Sequence, residues 1–147
     1  MNEIIFGHEI TFEEFNGLRD SVGWPLLSRR QFDLTIANGR YICAARDGEK
    51  AIGMVRAVGD GGYNLLVTDV IVSEAYRKNG IATKMMEMLL GYVKENTLEG
   101  ETTMVNLMSA KGRETFYQRL GFIERPNEKL GAGMCMYIKT DDKTKGE

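Results

Sequence analysis

The longest regular pattern in the chain runs from Ile81 to Lys94, where Ile81, Met85, Met88, Leu89, Tyr92 and Val93 recur at intervals of three and four. That spacing gives a helix one apolar face, and its methionines read as core packing. Ahead of it the pattern is extended. Tyr41 to Arg46, Ala51 to Val58 and Tyr63 to Val72 are rich in apolar and β-branched residues and are separated by Asp47-Gly48 and Gly59-Asp60-Gly61-Gly62. Three consecutive antiparallel strands follow from that arrangement. The glycine cluster joins two strands with no helix after it, so it reads as a hairpin loop and not as a dinucleotide fingerprint.

The flanks repeat the alternation of strand and helix. Ile4-Ile5-Phe6 reads as a first strand. Thr11 with Glu14 and Ser28 with Gln31 have the spacing of capping boxes. They predict a helix over about 12–20 and a second one carrying Phe32, Leu34 and Ile36, closed by Asn38-Gly39. Val22-Gly23-Trp24-Pro25 is the loop between them. Beyond the long helix, Thr103 to Met108 reads as a buried strand, Arg113 to Leu120 as a helix ending at Gly121, and Met134 to Lys139 as a final strand. The fold class is therefore α+β, with one mixed sheet covered by helices. A single domain is expected over residues 1–140, with 141–147 as a polar, flexible tail.

Composition narrows the function classes. The 147 residues suit one domain, and 43 % hydrophobic with 27 % charged residues is ordinary for a globular chain. No apolar run approaches the roughly 20 residues that span a bilayer, and Met1-Asn2-Glu3 lacks the basic start of a signal peptide. The expected location is the cytoplasm, with no membrane partner. A net charge of −2 offers nucleic acid no general attraction. Cys43 and Cys135 lie in apolar strand-like segments and read as small buried hydrophobes, and His8 is the single histidine. That inventory argues against a metal site and against a Cys-His dyad.

Chemistry concentrates where the third central strand meets the long helix. Val70-Ile71-Val72 passes through Ser73-Glu74-Ala75-Tyr76 into Arg77-Lys78-Asn79-Gly80-Ile81-Ala82-Thr83. A helix start presents backbone N–H groups with no intrahelical partner and a partial positive charge, so it suits a phosphate. Gly80 lets backbone approach the anion, and small Ala82 leaves space. Further on, Phe116-Tyr117-Gln118-Arg119-Leu120-Gly121-Phe122 ends a second helix. Together these segments resemble the Gcn5-related N-acetyltransferase (GNAT) superfamily, whose cofactor loop reads Gln/Arg-x-x-Gly-x-Gly/Ala and whose later helix ends in Tyr-x-x-x-Gly-Phe. The match covers the chain from about Tyr41 to Ile138 and is weakest before it.

The resemblance implies a six- or seven-stranded sheet, splayed between strands four and five into a V-shaped cleft. It implies acetyl-CoA as cofactor and CoA as product, held by the backbone of Lys78, Asn79, Gly80, Ile81, Ala82 and Thr83, by Arg77, and by the strand edge at Val70, Ile71 and Val72. Tyr117 takes the position of the acid that protonates the departing thiolate. Asp69 is the candidate general base, with a solvent-facing or loop-holding role as its competitor. Ala110 and Arg113 depart from the asparagine and alanine that many relatives carry seven and four residues before the tyrosine. Lys111 or Arg113 is then a candidate for the adenosine 3'-phosphate or, equally, plain surface charge. The run from Glu124 to Met134 looks like the ending of a bacterial, arylalkylamine-type subgroup. In that group the early helical region and the last loop face the acceptor, which makes Trp24, Pro25, Phe32 and Met134 candidates for an apolar amine pocket or, equally, for core. The implied activity is direct acetyl transfer to a primary amine, most simply of a small molecule. The alternatives are a noncatalytic acyl-CoA-binding regulatory module and, last, a mononucleotide binder, which would lack the Gly-Lys-Ser/Thr ending. Relatives often dimerise through late strands, so Met134 to Ile138 is either a homodimer contact or an internal strand.

Overall fold

The computed structural model describes residues 3–140, and the tail expected at 141–147 lies outside them. They group into two compact units, the first reaching Leu107 and the second beginning at Met108.

The first unit carries β1 (Ile4–Gly7), α1 (Phe12–Ser21), α2 (Arg29–Asn38), β2 (Tyr41–Asp47), β3 (Lys50–Gly59), β4 (Asn64–Val72), a 3₁₀ turn at Glu74–Tyr76, α3 (Ile81–Asn96) and β5 (Met104–Leu107). The strands form one sheet in the order β1-β2-β3-β4-β5. The first four are antiparallel to their neighbours, and β5 runs parallel to β4. This mixed sheet has five strands among the described residues, where six or seven were expected.

The face expected of α3 anchors that helix, whereas of the three apolar residues expected from α2 only Phe32 is buried and Leu34 and Ile36 are exposed. On one side of the sheet Phe15, Leu18 and Phe32 pack with Met54 and Ile71. Phe12 and Phe15 each meet the Phe32 ring edge-on, at 5.5 and 5.3 Å between centroids. On the other side α3 buries Ile81, Met85, Met86, Leu89 and Val93. A side chain of this kind contributes about 1.5–3 kcal/mol when fully buried, so α3 is held firmly to the sheet along its length. Gly53 makes the approach possible: a Cβ there would stand 3.2 Å from Met85 Cε and 3.0 Å from the Ile71 carbonyl oxygen.

Both capping boxes expected in the first unit are present. Thr11 and Glu14 satisfy each other's backbone N–H at the start of α1, as Ser28 and Gln31 do at α2. No helix among the described residues is long and apolar enough to cross a membrane.

The second unit holds α4 (Glu114–Arg119), one residue shorter at each end than the sequence pattern suggests. Gly121 takes a left-handed φ of 103°, and its N–H donates to the Gln118 carbonyl while that of Phe122 donates to Tyr117. This is a Schellman closure, and glycine serves there because it has no Cβ to clash. The expected strand at Met134–Lys139 is not formed: 131–140 has no regular structure and Met134, Met136, Tyr137 and Ile138 are almost fully exposed. The alternating pattern marks strand propensity, but a strand needs a partner ladder, and the described residues offer this segment none. Cys135 is accordingly exposed, a correction to its expected burial, whereas Cys43 is buried as expected.

Candidate active site

The register between β3 and β4 slips beside Asp69. Arg56 pairs with Thr68 and Met54 with Ile71, so Asp69 and Val70 together oppose Val55. The extra residue is a β-bulge, and Asp69 adopts a φ of 52° to make it. Beyond the bulge β4 also loses its other neighbour, because the last β4–β5 pair is Val67 with Leu107. From Thr68 to Val72 the β5-side edge of β4 therefore has no strand partner among the described residues. Val70, Ile71 and Val72 lie along this unpaired edge, beyond the end of β5.

The strand then leads into an uncapped helix. Gly80 is the N-cap of α3, with φ 74° and no side chain to satisfy the helix's first N–H groups. The first helical bond runs from Lys84 N–H to the Gly80 carbonyl at 3.0 Å. Among the described residues, no hydrogen bond uses the N–H of Lys78, Asn79, Gly80, Ile81, Ala82 or Thr83. Lys78 itself has φ 66°, an uncommon conformation for a side-chain-bearing residue. The Asn79 amide holds the loop by donating to the carbonyls of Tyr76 and Arg77, each at 3.0 Å. A Cβ built on Gly80 meets nothing within 4 Å, so the space in front of these donors is open. Six unmatched N–H groups at the positive end of a helix dipole, with open space before them, fit a pyrophosphate. Arg77 is used differently from expectation: its Nε donates to the Val72 carbonyl at 3.1 Å, so part of the guanidinium braces the loop against β4.

Asp69 is a correction to the proposed base. It is 3 % exposed, and both carboxylate oxygens are taken, one by Arg19 Nη1 and the other by Arg56 Nε, each at 2.5 Å. A buried carboxylate held on each oxygen by a guanidinium serves structure, and its charge and position are committed to those partners and not to an approaching ammonium. Arg19 also donates to the Pro25 carbonyl at 2.7 Å, and its Cζ lies 5.7 Å from the centre of the Trp24 ring. It thus ties the α1–α2 loop to the bulge and brings Trp24, Pro25 and Asp69 into one network. Sequence reading missed Arg19 and Arg56. Their signal was a lone arginine on the apolar face of α1, another in the apolar run of β3, and one carboxylate in β4 to pair with both.

Phe32 is core, 6 % exposed among Phe15, Leu18, Met54 and Ile71, which corrects its assignment to the acceptor pocket. Trp24 is half-buried against that cluster and Pro25 is exposed. In the second unit, Met134 is 86 % exposed. Tyr117 is buried, with its ring edge-on to Phe116 at 5.0 Å and to Phe122 at 6.0 Å. The Schellman closure explains the second packing, since it brings the residue after Gly121 back over Tyr117. Burial pushes the Tyr117 hydroxyl above its ordinary value, and the nearby Arg113 charge opposes that only in part. The tyrosine is therefore held in its protonated form. Lys111 and Arg113 are exposed, and the Arg113 guanidinium stacks 5.3 Å from the Phe116 ring centre. No group of three or more His, Cys, Asp or Glu side chains among the described residues could hold a metal ion.

Comparison with known proteins agrees with this geometry. The model of the acetyltransferase (GNAT) domain matches residues 37–124. An uncharacterized N-acetyltransferase, ycf52, of Pyropia yezoensis is 25 % identical over 126 residues, covering 83 % of this chain and 70 % of that protein. The chloroplastic GCN5-related N-acetyltransferase 2 of Arabidopsis thaliana is 28 % identical over 148 residues, and the match covers 86 % of this chain but only 56 % of the relative. Among solved structures, a protein of meticillin-resistant Staphylococcus aureus described as a probable acetyltransferase superposes with a TM-score of 0.80 at 26 % identity, covering 94 % of this chain and all of that one.

Proposed function

The chain belongs to the GNAT family of acetyltransferases, and from that premise we propose that it moves the acetyl group of acetyl-CoA to a primary amine by direct attack within a ternary complex. The observation that carries this reading is the uncapped start of α3 after a strand whose β5-side edge is unpaired. Its unmatched N–H groups suit a pyrophosphate, and the open β4 edge at Val70–Val72 suits the amides of a pantetheine arm laid alongside like an added strand. Lys111 and Arg113 supply exposed positive charge suited to the 3'-phosphate.

Bound acetyl-CoA supplies the activated thioester carbonyl. The chain's own part is to orient and to move protons. As the amine nitrogen bonds to the acetyl carbon and the carbon–sulfur bond breaks, Tyr117 gives its hydroxyl proton to the departing sulfur and regains one from solvent. The amine loses its proton to water, since Asp69 is closed by Arg19 and Arg56. Neither cysteine serves as a nucleophile in this scheme: burial pushes the Cys43 thiol up to about 11, far from a thiolate at neutral pH. Trp24 and Pro25, held by Arg19, form the acceptor-side wall. A ring at Trp24 suits a small apolar or aromatic amine.

Titration calorimetry with acetyl-CoA, CoA and ATP, followed by thiol release against a broad amine panel, tests the proposal. Binding of the two CoA species in preference to ATP, with amine-dependent release, is expected. Preference for ATP or absence of CoA binding overturns it. Tyr117→Phe is expected to leave CoA affinity unchanged and lower kcat by about 10²–10⁴, the usual span for a general acid. An unchanged kcat when chemistry limits turnover removes Tyr117 from that role.

A further inference from the structure

A cavity in the first unit lies beside the C-terminal half of α3, away from the phosphate loop. It measures about 410 Å³ and opens where β1 stops short along the edge of β2. β1 pairs only with Ala44–Asp47, so Tyr41, Ile42 and Cys43, paired with β3 on one side, have no strand on the β1 side. His8 closes part of that edge: its Nδ1 donates to the Ile42 carbonyl at 2.8 Å, which leaves Nε2 directed elsewhere. Three rings follow in series. His8 meets Tyr41 edge-on at 5.4 Å, and Tyr41 lies against Tyr92 of α3 at 5.0 Å with a tilt of 34°. Ile36 adds apolar wall from α2.

The charge of the lining is one-sided. It contains Arg40 and Arg56 and no carboxylate. Arg56 is engaged with Asp69, which it shares with Arg19, but Arg40 has no ion pair or side-chain hydrogen bond among the described residues. Its guanidinium is nonetheless placed by the fold. The Arg40 N–H donates to the Ala57 carbonyl at 2.9 Å, and the side chain lies over Gly61, where a Cβ would stand only 1.7 Å from Nη2. Glycine at 61 is thus what lets the guanidinium lie across the β3–β4 turn, between this cavity and the smaller adjoining cleft that it also lines. Burial, aided by Cys43, pushes the Tyr41 hydroxyl up to about 12, so it enters any contact as a protonated donor.

We propose that this cavity is a second small-molecule site that takes a planar aromatic carboxylate, its ring along the His8–Tyr41–Tyr92 series and its carboxylate on Arg40. A cavity of this size, mostly apolar with a few polar groups, is typical of small-ligand sites. A single free guanidinium matches one carboxylate by paired hydrogen bonds. The C-terminal end of α2, the negative end of its dipole, borders the cavity at Gly39 and opposes the double charge of a phosphate dianion more than the single charge of a carboxylate. Tyr92 is eleven residues beyond Ile81, about 16 Å along α3, so the site is separate from the CoA-binding loop.

Calorimetry on the full chain with 2-naphthoate, 2-naphthamide and 2-naphthylmethylamine tests the proposal. Naphthoate is expected to bind at least tenfold more tightly than the neutral amide or the cationic amine, and to do so equally well with CoA at saturation. Arg40→Gln is expected to remove at least tenfold of naphthoate affinity while CoA binding stays as it was. Equal binding of acid and amide, preference for the amine, displacement by CoA, or an Arg40→Gln protein that binds naphthoate normally would each overturn it. The comparison of acid with amide uses the unaltered protein and decides the matter even where the variant fails to fold. Its outcome is also independent of whether acetyl transfer is found.

Discussion

The α1 side of the sheet and the start of α3 treat their polar groups in opposite ways. At α1 and α2 the helix starts are closed by their own residues, Thr11 with Glu14 and Ser28 with Gln31. Asp69 beneath them is closed by two arginines. At α3 the cap is a glycine, and six consecutive backbone N–H groups have no partner among the described residues. Closing a polar group internally gains stability, while leaving it open against solvent gives up that gain and keeps a donor for a ligand. The difference separates scaffold from site more sharply than residue type does, since basic residues occur in both regions.

Breaking the closed side at its most buried point gives the largest expected effect. Asp69→Asn removes the anion shared by Arg19 and Arg56, and loss of one partner of a buried pair costs about 3–5 kcal/mol. Urea unfolding measures it, and a loss under about 1 kcal/mol would show that the two guanidiniums find other partners. Next comes the open side. Gly80→Asp keeps a residue that tolerates left-handed backbone but places a carboxylate where a phosphate would sit. CoA affinity is expected to fall at least tenfold, about 1.4 kcal/mol, with little change in melting temperature. Retained affinity would mean that the α3 start is not the phosphate site.

Smaller effects sharpen the contrast. Thr11→Ala removes a working cap and is expected to cost about 1 kcal/mol of stability with CoA affinity untouched, the reverse of Gly80→Asp. The last test uses acid. A hydrogen bond from Arg46 holds the Glu14 carboxyl at about 2, below its ordinary 4.5. The unfolded chain therefore takes up this proton first, so the stability from Glu14 is full above about pH 4.5 and is lost as pH falls toward 2. Glu14→Gln keeps an acceptor for the cap, as Gln31 does at α2. Its stability deficit against the parent is expected to shrink over that window, and a deficit constant with pH would deny the Arg46 pairing.

Local physics was the legible part of this chain. Both capping boxes, the three antiparallel strands, the apolar face of α3 and the glycine closure of α4 depend on residues within a few positions of one another, so spacing alone determined them. The loop at Arg77–Thr83 and the tyrosine at 117 were marked instead by their resemblance to a family's motifs, and their roles stand as proposals. What tertiary structure decided was every question about partners distant in sequence. Asp69 is a closed ion-pair centre because Arg19 and Arg56 arrive from α1 and β3, fifty and thirteen residues away. Phe32 is core because α2 presses it onto Phe15 and Met54. Met134–Lys139 has a strand's pattern and no strand, since a ladder requires a second backbone. A residue's chemistry is written locally, but its availability depends on what the fold brings against it.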